Sequence, residues 1–133
     1  MSFKPTLLAS LIALSGAAWA DPAVIYDMGG KFDKSFNQAA YDGAERWKKE
    51  TGKPYLEFEI SNPAQREQAK RRMAERGADP IVGIGFSQGT SMEKVAKDFP
   101  KLKFAIIDSV VKLPNVQSIV FASMSGSALA DAA

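Results

Sequence analysis

The chain has 133 residues, 46% of them apolar and 24% charged, with neither cysteine nor histidine. That length holds one small domain or part of a larger one, and the composition excludes a disordered or fibrous chain. Without cysteine there is no disulfide, thiolate metal site or cysteine nucleophile; without histidine the usual zinc ligand and neutral-pH base are gone; and a net charge of +2 is too balanced for a nucleic-acid-binding surface.

The chain opens with Lys4, an apolar stretch over 6–16 and the small-residue pattern Ala18-Trp19-Ala20, followed by Asp21-Pro22. This is the layout of a cleavable secretory signal. The apolar stretch is shorter than the about 20 residues a membrane-spanning helix needs. No cysteine follows it, so the expected mature chain starts at Asp21, carries no lipid anchor and is soluble in the periplasm.

Ala23-Val24-Ile25-Tyr26 predicts a buried strand, which Asp27-Met28-Gly29-Gly30 breaks. Ser35, with Gln38 three residues on, predicts a capping box. The helix it opens carries Phe36, Ala40, Ala44 and Trp47 as one stripe, and Gly52 ends it. A second strand is expected over 54–60. Asn62-Pro63 predicts the start of a second helix, with Ala69 and Met73 on one face, Arg66, Lys70, Arg71 and Arg72 largely elsewhere, and Gly77 at its end. A third strand follows over 80–84. Met92, Val95, Ala96 and Phe99 mark a third helix that Pro100 stops, and strands four and five are expected over 103–107 and 116–121. A further helix start falls near Ser125.

Strands separated by single helices imply right-handed crossovers and a doubly wound, mostly parallel α/β sheet. Ligands in such sheets sit beyond the carboxyl ends of the strands. Asp27, the turn over 83–89 and Asp108 all fall at such ends and are expected to converge. Lys70-Arg71-Arg72 reads as a solvated helix face balanced by Glu67 and Glu75, not as a nucleic-acid patch.

Several motifs suggest other chemistry. Gly85-Phe86-Ser87-Gln88-Gly89 fits the G-x-S-x-G elbow of serine hydrolases. Ser87 would then need a histidine to take its proton, and the chain has none. The competing reading makes Ser87 the cap of the next helix. Gly83-Ile84-Gly85 begins a dinucleotide fingerprint, but Gln88 stands where its third glycine belongs. Asp27, Asp33 and Asp108 could suggest a magnesium-binding receiver pocket, against which the secretory signal argues; spaced carboxylates also serve as plain acceptors. No metal site, cofactor or catalytic residue is expected. The residues alone leave Phe36 open as a core side chain and Asp27 as the cap of a turn.

The string Asp27-Met28-Gly29-Gly30-Lys31-Phe32-Asp33-Lys34-Ser35-Phe36-Asn37-Gln38 resembles the signature of the basic membrane protein, or PnrA-like, family of ABC-transporter substrate-binding proteins. Gly83-Ile84-Gly85-Phe86, Phe104-Ala105-Ile106-Ile107-Asp108 and Asn115-Val116 extend the resemblance, which runs from Ala23 to about Leu129. It implies a type I periplasmic-binding-protein lobe with flavodoxin-like strand order. Two such lobes close on a purine or other nucleoside, and an ABC permease in the inner membrane is the partner. By position, the resemblance makes Phe36 the ring that stacks on the base. It gives Asp27 and Asn37 hydrogen bonds to base or nearby sugar atoms, and Asp108 the ribose hydroxyls. Ser35 and Gly85, Phe86 and Ser87 line the same edge. Family members carry a second lobe, so 21–133 is expected to be the first lobe alone, a truncated chain. A sensor that presents ligand to a membrane receptor would use the same lobe.

Overall fold

The computed structural model describes residues 20–121. The expected signal segment and the helix start near Ser125 lie outside the described residues. Among the described residues, five strands and three helices follow in the order β1 (Ala23–Tyr26), α1 (Phe36–Thr51), β2 (Leu56–Glu59), α2 (Gln65–Glu75), β3 (Ile81–Ile84), α3 (Gly89–Asp98), β4 (Phe104–Ile107) and β5 (Val116–Ile119), with a 3-10 turn (Phe86–Gln88) ahead of α3. The strand order is β2-β1-β3-β4-β5 and all four pairings are parallel. This is the flavodoxin-like order, so every strand delivers its carboxyl end to the same edge.

The sheet divides the apolar residues into two clusters. Ala23, Ile25, Ile81, Phe104 and Ile106 pack with Met73 of α2 and with Met92 and Val95 of α3. Val24, Tyr26 and Ile84 point the other way and meet Ala40, Tyr41 and Ala44 of α1. β1 is buried at all four positions, whereas the flanking strands β2 and β5 alternate between partly buried and exposed. A strand covered on both faces reads as a continuous apolar run, as Ala23-Val24-Ile25-Tyr26 does.

Local caps follow the sequence in two cases and depart from it in three. Gly52 adopts φ 71° after α1, and its N–H reaches Lys48 O. Gly77 adopts φ 81° after α2, where the N–H groups of Gly77 and Ala78 reach Ala74 O and Met73 O. Those two bonds form a Schellman cap. At the head of α1, however, the Ser35 side chain makes no capping hydrogen bond. Asp33 Oδ1 accepts instead from the N–H groups of Ser35 (2.8 Å) and Gln38 (3.0 Å), and Gln38 Oε1 accepts from Lys34 N–H. A carboxylate two residues upstream reaches the same amides and brings a full negative charge to the positive end of the helix. α2 starts at Gln65, after a turn, and not at Pro63. Its first side chain reaches back, Gln65 Oε1 accepting from the N–H and hydroxyl of Ser61. Ser87 does not cap α3, whose cap position is Gln88.

The candidate ligand rim

Asp27 directly follows β1, Gly85 follows β3 and Asp108 follows β4, so the parallel register brings all three to one edge. They line a single hollow of about 200 Å³ together with Met28, Asp33, Ser35, Phe36, Asn37, Ile84 and Phe86. Seven of the eight residues singled out from the sequence therefore meet at one place. The eighth, Ser87, lies in a neighbouring hollow with Arg66, Glu67, Thr90, Ser91 and Lys94. Phe86 and Ser87 are consecutive residues of the 3-10 turn, and they line different hollows.

Each element contributes for a local reason. Asn37, in the first turn of α1, is buried, and its side-chain amide clasps the backbone of Asp27: Oδ1 accepts from Asp27 N–H and Nδ2 donates to Asp27 O, both at 3.0 Å. That clasp fixes the start of α1 to the end of β1 and employs the amide that the sequence reading assigned to a ligand. Gly85 has φ 102° and ψ 147°, a conformation essentially confined to glycine. A Cβ there would stand 3.1 Å from Asp27 Oδ2. Asp108 has φ 69°, unusual for a residue with a side chain, and its N–H is held by Ile119 O at 2.7 Å. Such strain costs about 1–3 kcal/mol and gathers at functional sites.

The rings are exposed rather than packed. Phe36 is 45% exposed and Phe86 72%, which takes Phe36 out of the core. Phe36 lies 5.8 Å from Phe121, ring to ring, at an interplanar angle of 32°. Phe121 was not among the residues the sequence singled out; its position two residues beyond β5 is the signal for it, because that too is a strand end on this edge.

The charges on the rim are acidic. Asp27, Asp33 and Asp108 line the hollow, and no basic residue does. Burial pulls the Asp33 carboxyl up, but the N–H groups of Ser35, Gln38 and Asn37 outweigh it and hold it below the ordinary carboxylate value. Asp27 Oδ1 takes Arg66 Nε and Nη2, each at 3.0 Å. Behind that pair, Lys70 is fully buried, contrary to the solvated face expected for it. Its Nζ donates to Arg66 O (3.1 Å), Ser91 Oγ (2.9 Å) and Gln88 Oε1. Gln88 Nε2 in turn donates to Ile25 O in β1 and Ile84 O in β3, both at 2.8 Å. Every buried side-chain nitrogen and oxygen among the described residues has a partner. Arg71 and Arg72 do lie toward solvent; Arg71 pairs with Glu67 and Asp98. Arg66, Lys70 and Gln88 escaped the sequence reading. Their signal was spacing: Lys70 stands three and four residues before Met73 and Ala74, on the face of α2 that those residues bury.

A further hollow, apolar and of about 220 Å³, lies at the opposite edge between Pro22, Val24, Ala44, Trp47, Tyr55 and Pro80. Among the described residues no group of three or more acids is arranged to hold a metal ion.

Residues 21–130 match the family described as ABC transporter substrate-binding protein, PnrA-like. The chain is 34% identical over 116 residues to the ABC transporter nucleoside-binding protein BmpA of Lactococcus lactis, a match covering 84% of this chain and 33% of that one. It is 44% identical over 91 residues to an uncharacterized lipoprotein of Pyrococcus furiosus, covering 65% of this chain and 22% of the relative. The solved solute-binding protein of an Aeropyrum pernix ABC transporter system superposes with a TM-score of 0.72 at 33% identity, covering 78% of this chain and 29% of that one. The chain thus spans a third or less of the length of these proteins. One of them is named a lipoprotein, so the relatives lend no support to the expected absence of a lipid anchor.

Proposed function

From the premise that the chain belongs to the PnrA-like family of ABC transporter substrate-binding proteins, we propose that it forms one lobe of an extracytoplasmic receptor. That receptor hands a nucleoside to a membrane permease. The observation that carries the ligand class is the rim itself: an exposed phenyl ring, Phe36, shares one hollow with Asp27 and Asp108 and with no basic residue. A phosphorylated or carboxylated solute would meet three carboxylates there. A neutral solute with a flat face and hydroxyl groups meets a ring to stack on and acceptors for its protons. The nucleoside-binding relative in Lactococcus supports the same class.

The roles differ in detail from those first assigned. Phe36 stacks on the base. Asp108, held in its strained turn, accepts from the sugar hydroxyls. Asp27 offers Oδ2, since Oδ1 is engaged by Arg66. Asn37 acts by fixing Asp27 in place, because its amide is already bonded to the strand. The hollow is smaller than the about 300–1,000 Å³ of sites that enclose a small molecule. That small volume supports the reading of this chain as one lobe of a two-lobe clamp.

Saturation-transfer NMR with adenosine, guanosine and inosine tests this reading, because it registers affinities near 1 mM, about −4 kcal/mol, within reach of a single lobe. Transfer to the nucleosides, and none to sugars or amino acids, is the expected result. Transfer to another solute class with none to any nucleoside overturns it.

A further inference from the structure

We propose that Lys70 is a positioning residue for the ligand rim: its ammonium holds Gln88 so that the Gln88 amide clasps the ends of β1 and β3, and thereby sets where Asp27 and Gly85 meet a ligand. The inference rests on the nucleoside reading for its ligand, but its geometry stands apart from it.

A lysine is a costly choice here. It lies fully buried on α2 among Ala69, Met73 and Ala74, where a methionine would fill the space without removing a charge from water. It nevertheless has a complete set of acceptors: Arg66 O, Gln88 Oε1 and Ser91 Oγ. Those acceptors come from three places, the preceding turn of α2, the 3-10 turn after β3, and α3. Gln88 accepts from Lys70 on one side of its amide and donates from the other to Ile25 O and Ile84 O, the carbonyls just behind the rim on adjacent strands. If the lysine contact is lost, the orientation of that amide is no longer fixed. The two strand ends then lose the bridge between them.

The same lysine couples to the rim electrostatically. Burial pushes its pKa down to about 7, Asp27 at the end of β1 works against that shift, and Arg66 on its own helix adds to it. The groups that reach it from the 3-10 turn and α3, Gln88 and Ser91, are neutral. An ammonium supplies three protons for the three acceptors, whereas the neutral amine supplies two. Loss of the proton therefore releases one of the three contacts and moves the rim.

The chain has no histidine and no cysteine, so no other side chain ordinarily titrates near neutrality. Amide ¹H–¹⁵N spectra of the whole chain recorded across neutral pH read the coupling directly. The expected result is a shared midpoint near 7 for the backbone amides of Asp27, Gly85 and Phe86 and the side-chain amide of Gln88. Lys70→Met abolishes that shared transition while the amides of β4 and β5 keep their dispersion. Ser91→Ala, a milder change, keeps the transition and moves its midpoint lower, because one acceptor for the ammonium is gone. The proposal is overturned if these amides show no common transition in the wild-type chain, or show the same one in Lys70→Met. A guanosine titration gives the second reading: Lys70→Met weakens binding by about tenfold or more, the scale of a hydrogen bond to a charged group. Failure of the wild-type chain to bind guanosine counts against the ligand class, and the amide titration still decides the role of Lys70.

Discussion

At the scale of single residues, the strand ends of the rim hold backbone conformations that leave little freedom. Gly85 shows this most sharply. Its backbone is in a region that residues with a Cβ avoid, and a Cβ would crowd Asp27 Oδ2 at 3.1 Å. Gly85→Ala is expected to lower stability by about 1–3 kcal/mol in urea unfolding; a midpoint equal to wild type would mean that the turn relaxes freely. Phe36→Ala removes an exposed ring that lies tilted against Phe121. It is expected to leave stability within about 0.5 kcal/mol, the range of exposed sites, while weakening nucleoside binding by about 1–3 kcal/mol. The opposite pattern, lost stability with unchanged binding, would return Phe36 to the core. The sequence reading reached Asp27, Phe36, Gly85 and Asp108 because each stands at a strand end or a helix start within a recognisable string. It missed Arg66 and Lys70 because a basic residue is read as solvated by default, and only its register with Met73 and Ala74 says otherwise.

At the scale of elements, helix ends and buried charge make the sharper tests. The head of α1 was legible as a helix start but not in its chemistry. Ser35 and Gln38 have capping-box spacing, yet the Asp33 carboxylate takes the amides of both residues. Asp33→Ala is therefore expected to cost about 1 kcal/mol, and Ser35→Ala far less; equal losses in thermal unfolding would restore the serine cap. For α2, Lys70 predicts an uncommon pH dependence. Its pKa is about 7 in the folded chain against 10.5 ordinarily, so between these values the unfolded chain holds more protons. Stability then rises as pH increases through that window. Burial also raises the Tyr26 and Tyr55 hydroxyls above their ordinary 10.0, so at higher pH the unfolded chain ionises them first and stability falls again. Urea midpoints are expected to climb between pH 7 and 10 and then decline, and Lys70→Met is expected to flatten the climb. A midpoint that stays level between pH 7 and 10 would show that the lysine keeps an ordinary pKa.

At the scale of the whole molecule, the strand order came from the family resemblance, while the parallel sheet could be inferred because buried parallel strands are short apolar runs and a helix follows each of the first three strands. That inference needs only the runs at 23–26, 81–84 and 104–107 and the helical stripes between them. The site follows from the same topology, since a parallel sheet places residues 27, 85 and 108 on one edge although they are far apart in sequence. What the pattern of hydrophobicity does not encode is the support behind the edge: the Asn37 clasp and the Lys70–Gln88 bridge are polar groups in buried places, visible only once the packing is known. The central claim is that ligand meets the chain at this edge. The direct measurement is a ¹⁵N-detected titration of the chain with guanosine, following every backbone amide. The account predicts shifts at Asp27, Met28, Phe36, Gly85, Phe86 and Asp108, with the amides around Trp47 and Lys53 at the opposite edge unmoved. Shifts centred on Trp47 and the apolar hollow beside it, with the strand-end amides unchanged, would contradict it.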